Sequence, residues 1–229
     1  MANSTITVHH LENSRSQRIL WLLEELGVDY QIKKYARDPE TSLAPPELRR
    51  VHPLGKSPVV THGEVTLAES GAIVEYLVGK YDDGRLLPAE GTPERLAYTY
   101  WLHYAEGTFM PLMIISLILG RIESAHMPFF INPVAKGIAD KVREGYLTQN
   151  VQRNLEFMDE TLSRTTWFCG DAFTAADIQM SFALEAAAVR SNLEDDYPHL
   201  AACLERMRAR PAYQAALDKG GPYRLMGAD

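Results

Sequence analysis

Residues 13–18 read Asn-Ser-Arg-Ser-Gln-Arg and put two hydroxyls, two side-chain amides and two guanidiniums within six positions. They open an amphipathic run. Ile19, Leu22, Leu23 and Leu26 fall at i, i+3, i+4 and i+7, one apolar face of a helix, and Gly27 is a natural stop. Ser14 with Gln17 three residues on fits a capping box, so Ser14 is the expected N-cap. The charges run against the helix dipole: Arg15 and Arg18 sit in the first turn, Glu24 and Glu25 in the last, at about 0.3–1 kcal/mol each. A helix start with free amide groups and two nearby cations is a good place to hold an anion. The other reading is an ordinary capped helix with solvated charges, and this stretch alone leaves both open.

Composition restricts the partners. The chain has 229 residues, enough for two modest domains, and 23 Lys and Arg against 30 Asp and Glu give a net charge of −7. A basic stripe for nucleic acid is not expected, and an acidic chain that binds an anion must do so with a local cluster such as Arg15 and Arg18. Ile6–Val8 is too short for the apolar core of a secretory signal. The apolar run 109–119, broken by Pro111 and Ser116, is too short to span a bilayer and reads as a buried helix. A cytoplasmic protein without a membrane partner is the expectation. Cys169 and Cys203 match no metal spacing and read as free buried thiols; the first 168 residues hold no cysteine. His9 and His10 are adjacent on a strand and must face opposite sides, so the seven histidines form no metal set.

The elements that position these residues follow in order. Strands are expected at Thr5–His9 and Asp29–Lys34, flanking the helix, and this β-α-β order suggests parallel pairing. The polar stretch Tyr35–Arg50 is a loop with a short helix at Pro46–Val51. The turn-rich His52–Pro58 leads to a hairpin, Val59–Thr61 with Val65–Leu67. Glu69-Ser70-Gly71 opens a helix carrying Ile73, Val74, Leu77, Val78 and Tyr81 at helical spacing. The aperiodic stretch 83–93 is read as a linker between domains at 1–82 and 94–229. Beyond it every segment is helical. Tyr98 to Leu112 marks a long helix bent at Pro111, Leu147 to Leu162 a second, and Thr174-Ala175-Ala176-Asp177 a capped start running to Ala188. Pro198–Arg208 and Tyr213–Lys219 complete the chain.

This order, with several motifs, resembles the glutathione transferase superfamily. Ser14 stands four residues before Arg18, as in the serine-type theta and delta classes. His52-Pro53-Leu54-Gly55-Lys56-Ser57-Pro58 resembles the family's cis-proline loop, with His52 for the usual asparagine and Ser57 for the usual valine. Glu69-Ser70 resembles the pair that receives the γ-glutamyl group. Thr166–Asp171 with Phe173–Asp177, Tyr197–Leu200 and Arg210–Tyr213 resemble second-domain motifs. The likeness spans roughly 5–217 and its motifs point to a serine-type bacterial or fungal class.

The resemblance implies an α/β thioredoxin-like N-terminal domain plus an all-α C-terminal domain, a homodimer, and glutathione as co-substrate with no metal. It implies a transferase that attacks an apolar small-molecule electrophile, a detoxification chemistry. A glutathione-dependent peroxidase or isomerase, and a non-catalytic binding module, are the alternatives. A thiol of pKa ~8.5 brought below 7 needs about 2.7 kcal/mol of thiolate stabilisation. One hydroxyl donor to a charged acceptor supplies about 1.5–3 kcal/mol. Ser14 is the implied donor, capping the helix with its oxygen while its proton points at sulfur, and Asn13, Arg15 and Ser16 share the claim. Ser57 and Pro58 would hold the cysteinyl backbone, Glu69 the ammonium, Ser70 a carboxylate, and Lys56 the glycine carboxylate unless it is a solvated loop lysine. Arg18 is read as a structural anchor. Tyr104, Phe109, Met110, Met113 and Ile114 would face the electrophile, unless that stripe is core.

Overall fold

Val8 at the centre of β1 (Ile6–Leu11) is fully buried, and the first unit is built around this strand. The computed structural model describes residues 5–221 and 223–225; residues 1–4, 222 and 226–229 of the two expected domain spans lie outside the described residues. After β1 come α1 (Ser16–Leu26), β2 (Tyr30–Tyr35), α2 (Glu47–Val51), β3 (Val59–His62), β4 (Val65–Ala68) and α3 (Ser70–Tyr81). The sheet order is β2-β1-β3-β4, with β1 parallel to β2 and antiparallel to β3, and the β3–β4 hairpin antiparallel. The β-α-β crossover and the hairpin turn at Gly63 (φ 61°) make a thioredoxin-like unit.

The second unit is helical. Pro93–Tyr104 forms α4, whose N-cap Thr92 accepts from the Arg95 N–H at 3.2 Å. Residues Ala105–Phe109 make a π-helical turn, and α5 (Met110–Ser124) continues the line. The bend expected at Pro111 is thus taken up one turn earlier, in wider i→i+5 hydrogen bonding. A further helix, α6 (Asn132–Val142), runs through a second π turn into α7 (Thr148–Leu162). Then follow α8 (Ala175–Ala188), α9 (Leu193–Asp196), α10 (Pro198–Arg208) and α11 (Pro211–Gly220). The run 109–119 is only half buried: Phe109, Met110, Leu112, Met113 and Leu119 are in the core, while Ile114 and Ile118 are exposed.

Between the units, Asp82 accepts the amides of Arg85, Leu86 and Leu87, and the Leu86 carbonyl accepts from Ala175 N–H at 3.0 Å, so the connection is tied down at both ends. Asp177, fully buried, accepts the Phe168 N–H at 2.9 Å, the Thr174 N–H at 2.8 Å and the Thr174 hydroxyl at 2.9 Å, closing the capping box of α8. Thr174→Ala is expected to cost about 1 kcal/mol of unfolding free energy in urea, with the denaturant slope unchanged. Cys169 and Cys203 are free and buried, and burial pushes both thiols up to about 12.

Helix α1 departs from the one-faced pattern. Ile19, Leu20, Trp21, Leu22 and Leu23 are all buried, because the helix lies on the sheet and against α3, α8 and α11 together. The capping box does not form. The helix begins at Ser16, where the Ser14 Oγ accepts from the Ser16 N–H at 3.3 Å, and Gln17 N–H reaches the Ser14 carbonyl at 3.2 Å. The Gln17 amide is packed instead against α11, where a Cβ at Gly220 would lie 2.5 Å from Oε1, so the helical glycine leaves it room.

The four charges that oppose the α1 dipole all have partners in the helical unit. Arg15 and Arg18 pair with Glu106, Glu24 with Lys219 at 2.5 Å, and Glu25 with Arg210 at 2.5 and 2.9 Å. They dock one unit on the other, and attraction across the interface outweighs the few tenths of a kcal/mol lost to the dipole.

Candidate active site

A cleft of about 650 Å³ opens between the C-terminal end of β1 and the helices α5 and α8. On the sheet side β1 ends at Leu11, and the chain turns through Asn13, at φ 50°, into Ser14 and α1. Left-handed backbone is tolerated best by asparagine after glycine. Arg37 holds this turn, donating to the carbonyls of Glu12, Asn13 and Ser42 at 3.1, 3.1 and 2.9 Å. The Asn13 side chain accepts from the Arg224 N–H at 2.6 Å, which ties the C-terminal tail to the turn and brings Leu225 to the cleft. Ser14 lines the cleft and is 5% exposed.

Across from it, Ser57–Pro58 is a cis peptide. The Ser57 hydroxyl donates to the His9 carbonyl at 2.9 Å and accepts from the Leu11 N–H at 3.3 Å. This stitches the loop to the end of β1, a bond that a valine could not make. Lys56, Glu69 and Ser70 also line the cleft. Glu69 has φ 70°, an uncommon conformation for a residue other than glycine, and its side chain is exposed; Ser70 begins α3 and is buried.

Glu106 stands in the π turn and is the hub of the interface. The Arg15 Nε donates to both its carboxylate oxygens at 2.9 and 3.0 Å, and Arg18 donates to Glu106, to the Ser70 Oγ and, at 2.5 Å, to the Gln179 carbonyl. Burial alone would raise the Glu106 carboxyl, but the two guanidiniums hold it below the ordinary glutamate range. The Arg15 guanidinium lies 5.1 Å from the centre of the Phe182 ring, which closes the floor of the cleft. Arg18 stands where an anchor was expected, with its partners on α3, α8 and the π turn.

The helical wall is apolar, formed by Met110, Met113, Ile114, Leu117, Phe182 and Ala186. Tyr104 and Phe109 do not line the cleft, which corrects their assignment to it. Phe109 is fully buried, and the Tyr104 hydroxyl donates to Asn154 of α7. The π turn, Ala105–Phe109, shifts the phase of the helix between Tyr104 and Met110, so the stripe read as one face divides into core and cleft. Sequence reasoning missed Glu106, Arg37 and Phe182. Only an exposed-looking carboxylate beside a glycine could have marked Glu106, and such pairs are common on helix surfaces.

Under the site, His9 Nδ1 lies 2.8 Å from the Tyr35 hydroxyl, while His10 on the opposite face lies 2.9 Å from Ser16 Oγ, as alternation requires. Burial, and then Lys34, pushes the His10 ring down to about 4. Between that value and the ordinary 6.5 the unfolded chain binds more protons, so the His10 contribution is full above 6.5 and is lost as pH falls through 4. Wild type is expected to lose about 2 kcal/mol between pH 7.5 and 5 that His10→Asn does not, measured by urea denaturation at each pH.

The fold and the cleft define a two-domain protein, thioredoxin-like and helical, with its site at the helix start after β1 and the cis-proline loop. Residues 4–79 match the model of the glutathione S-transferase N-terminal domain and 122–211 that of the C-terminal domain. Glutathione S-transferase 1 of Saccharomyces cerevisiae is 34% identical over 96% of this chain and 97% of its own, and glutathione S-transferase 3 of Schizosaccharomyces pombe 37% identical over 93% and 87%. A glutathione S-transferase structure from Actinobacillus pleuropneumoniae aligns with a TM-score of 0.77 at 33% identity, over 94% and 93%. The chain belongs to the glutathione S-transferase family.

Proposed function

We propose that the protein is a glutathione transferase that binds glutathione on the sheet side of the cleft and presents its thiolate to an apolar electrophile on the helical side. The observation that carries this is the juxtaposition of Ser14, cis-Ser57–Pro58 and Glu69–Ser70 on one wall with Met110, Met113 and Ile114 on the other. In this reading Ser14 donates to the thiolate, assisted by the α1 amides, with Arg15 supplying positive potential from beside Glu106. Ser57 and Pro58 pair with the cysteinyl backbone, Glu69 with the γ-glutamyl ammonium, Ser70 with the adjoining carboxylate, and Lys56 with the glycine carboxylate. Asn13 acts by shaping the turn. Cys169 and Cys203, buried and held protonated, leave sulfur chemistry to the bound thiol. The enzyme is serine-type and works in the cytoplasm.

Calorimetric titration with glutathione, followed by a chlorodinitrobenzene conjugation assay, tests the reading. Saturable binding with conjugation is expected, and absence of binding overturns it. We also propose a homodimer. Leu96, Phe129 and Ile138 are 75, 85 and 62% exposed on the single chain, apolar side chains that a second copy could cover. Sedimentation at micromolar concentration should give twice the chain mass of 25.7 kDa, and a single chain mass rules the dimer out.

A further inference from the structure

The Ser14 hydroxyl is the outer end of a hydrogen-bonded chain. His10 Nδ1 lies 2.9 Å from Ser16 Oγ, and Ser16 Oγ lies 2.8 Å from Ser14 Oγ. All three residues are buried, and of the three Ser14 lines the cleft. The backbone fixes the chain at both ends: His10 is locked in β1 beside β2, and the Ser16 N–H donates to Ser14 Oγ at 3.3 Å.

Three proton arrangements satisfy these distances, the third with the Ser16 proton on the Leu11 carbonyl at 3.3 Å and both His10 and Ser14 donating to Ser16, which leaves a Ser14 lone pair facing the cleft. Each hydroxyl has one proton to give and two lone pairs to receive. If the neutral His10 ring accepts at Nδ1, Ser16 donates to it, Ser14 must donate to Ser16, and a lone pair of Ser14 faces the cleft. If Nδ1 carries the ring proton and Ser16 gives its own to Ser14, the nearer of its two acceptors at 2.8 Å against 3.3 Å to the Leu11 carbonyl, the donors run from His10 through Ser16 to Ser14. Ser14 then receives from both the hydroxyl and the amide of Ser16. Its lone pairs are filled, and its own proton has only the cleft to go to.

We propose that His10 is a positioning residue, its Nδ1–H donating to Ser16 and Ser16 to Ser14, so that the Ser14 proton is held toward an anion in the cleft. This rests on the reading of Ser14 as the donor to the glutathione thiolate. Donors aligned head to tail polarise one another, so the last in line is a stronger donor than an isolated serine. The ring is neutral at physiological pH and commits one proton to Nδ1 or Nε2. An anion beside Ser14 selects the arrangement that runs from His10 through Ser16 to Ser14, because the others meet it with a lone pair.

The test is the pKa of glutathione's thiol when bound, read from thiolate ultraviolet absorbance against pH, with glutathione affinity and thermal midpoint measured alongside. Ser16→Ala keeps the backbone amide and removes only the middle of the chain. It is expected to raise the bound thiol pKa by about one unit and lower turnover at neutral pH about tenfold, with affinity changed less than about twofold. His10→Phe should do the same, and His10→Asn, whose side-chain N–H can take the place of Nδ1–H, should restore most of the loss. A lowered thiol pKa in Ser16→Ala overturns the proposal, since it means Ser16 was drawing the Ser14 proton away from the cleft. So does an unchanged thiol pKa accompanied by a lower thermal midpoint, which is a structural role alone, and so does an Asn no better than Phe. If Ser14→Ala raises the thiol pKa while Ser16→Ala does not, the relay fails and the Ser14 reading stands. If neither raises it, both fail.

Discussion

Glu106→Ala should lower the unfolding free energy by about 3 kcal/mol, the lower end of the cost of breaking a buried ion pair. Arg18 is 2% exposed, and without Glu106 its remaining partners are the Gln179 carbonyl and the Ser70 hydroxyl, both neutral. The full penalty does not apply because the Glu106 side chain is about a third exposed, 32%, so water can enter where the carboxylate stood. Chemical denaturation of wild type, Glu106→Ala and Glu106→Gln measures it. Gln should recover part of the loss through hydrogen bonding but not through charge. The pair Arg18→Met with Glu106→Ala should cost less than the sum of the single changes, because the second substitution removes the stranded cation that the first creates. Additive losses would mean that Arg18 draws its stability from elsewhere. Conjugation should fall with Glu106→Ala even under conditions where the protein stays folded, since Arg15 loses both hydrogen bonds that hold it beside the cleft.

Ser14→Ala should reduce kcat/KM for chlorodinitrobenzene conjugation about 10- to 100-fold, the equivalent of about 1.5–3 kcal/mol from one hydrogen bond to a charged acceptor. The loss should appear in kcat rather than in the KM for glutathione, because the bond strengthens when the thiol ionises. The methyl that remains is no larger than the serine, and the helix start keeps its Gln17-to-Ser14 backbone bond. Steady-state kinetics against both substrates decide the matter. Unchanged turnover would move thiol activation to a neighbour. Asn13 and Arg15 are then the neighbours to vary, because the Arg224 amide takes the Asn13 Oδ1 and Glu106 the Arg15 Nε, and the donors that would face an anion are the Asn13 amide N–H groups and the Arg15 Nη groups.

Most of the fold was legible because local signals agreed with one another. Alternation gave the strands, Gly63 marked the hairpin, and Thr174 with Asp177 announced α8. What stayed hidden depends on partners remote in the chain. The reversed charges of α1 were visible as an anomaly, but their meaning lay at Glu106, Arg210 and Lys219, 88 residues away at the nearest for Arg18. A capping box could be written at Ser14 and Gln17, yet the space beside Gly220 claimed the glutamine. The helix from Pro93 was read at one continuous period, so the phase shift at residues 105–109 moved Tyr104 and Phe109 out of the site while Met110 and Met113 stayed in it. No propensity scale marks such a turn, because packing decides it.

The cleft's walls come from separate stretches: the sheet side from residues 11–70, the helical side from 106–190, with Leu225 also lining it. Glu106, which fastens them, lines the same cleft but is engaged through its charge by Arg15 and Arg18. On the proposed reading, substitutions at Met113, Ile114 or Leu117 should change what is attacked and leave the attacking group alone. A lineage carrying such a chain would then vary its range of electrophiles one side chain at a time, without renegotiating the chemistry that every one of them shares.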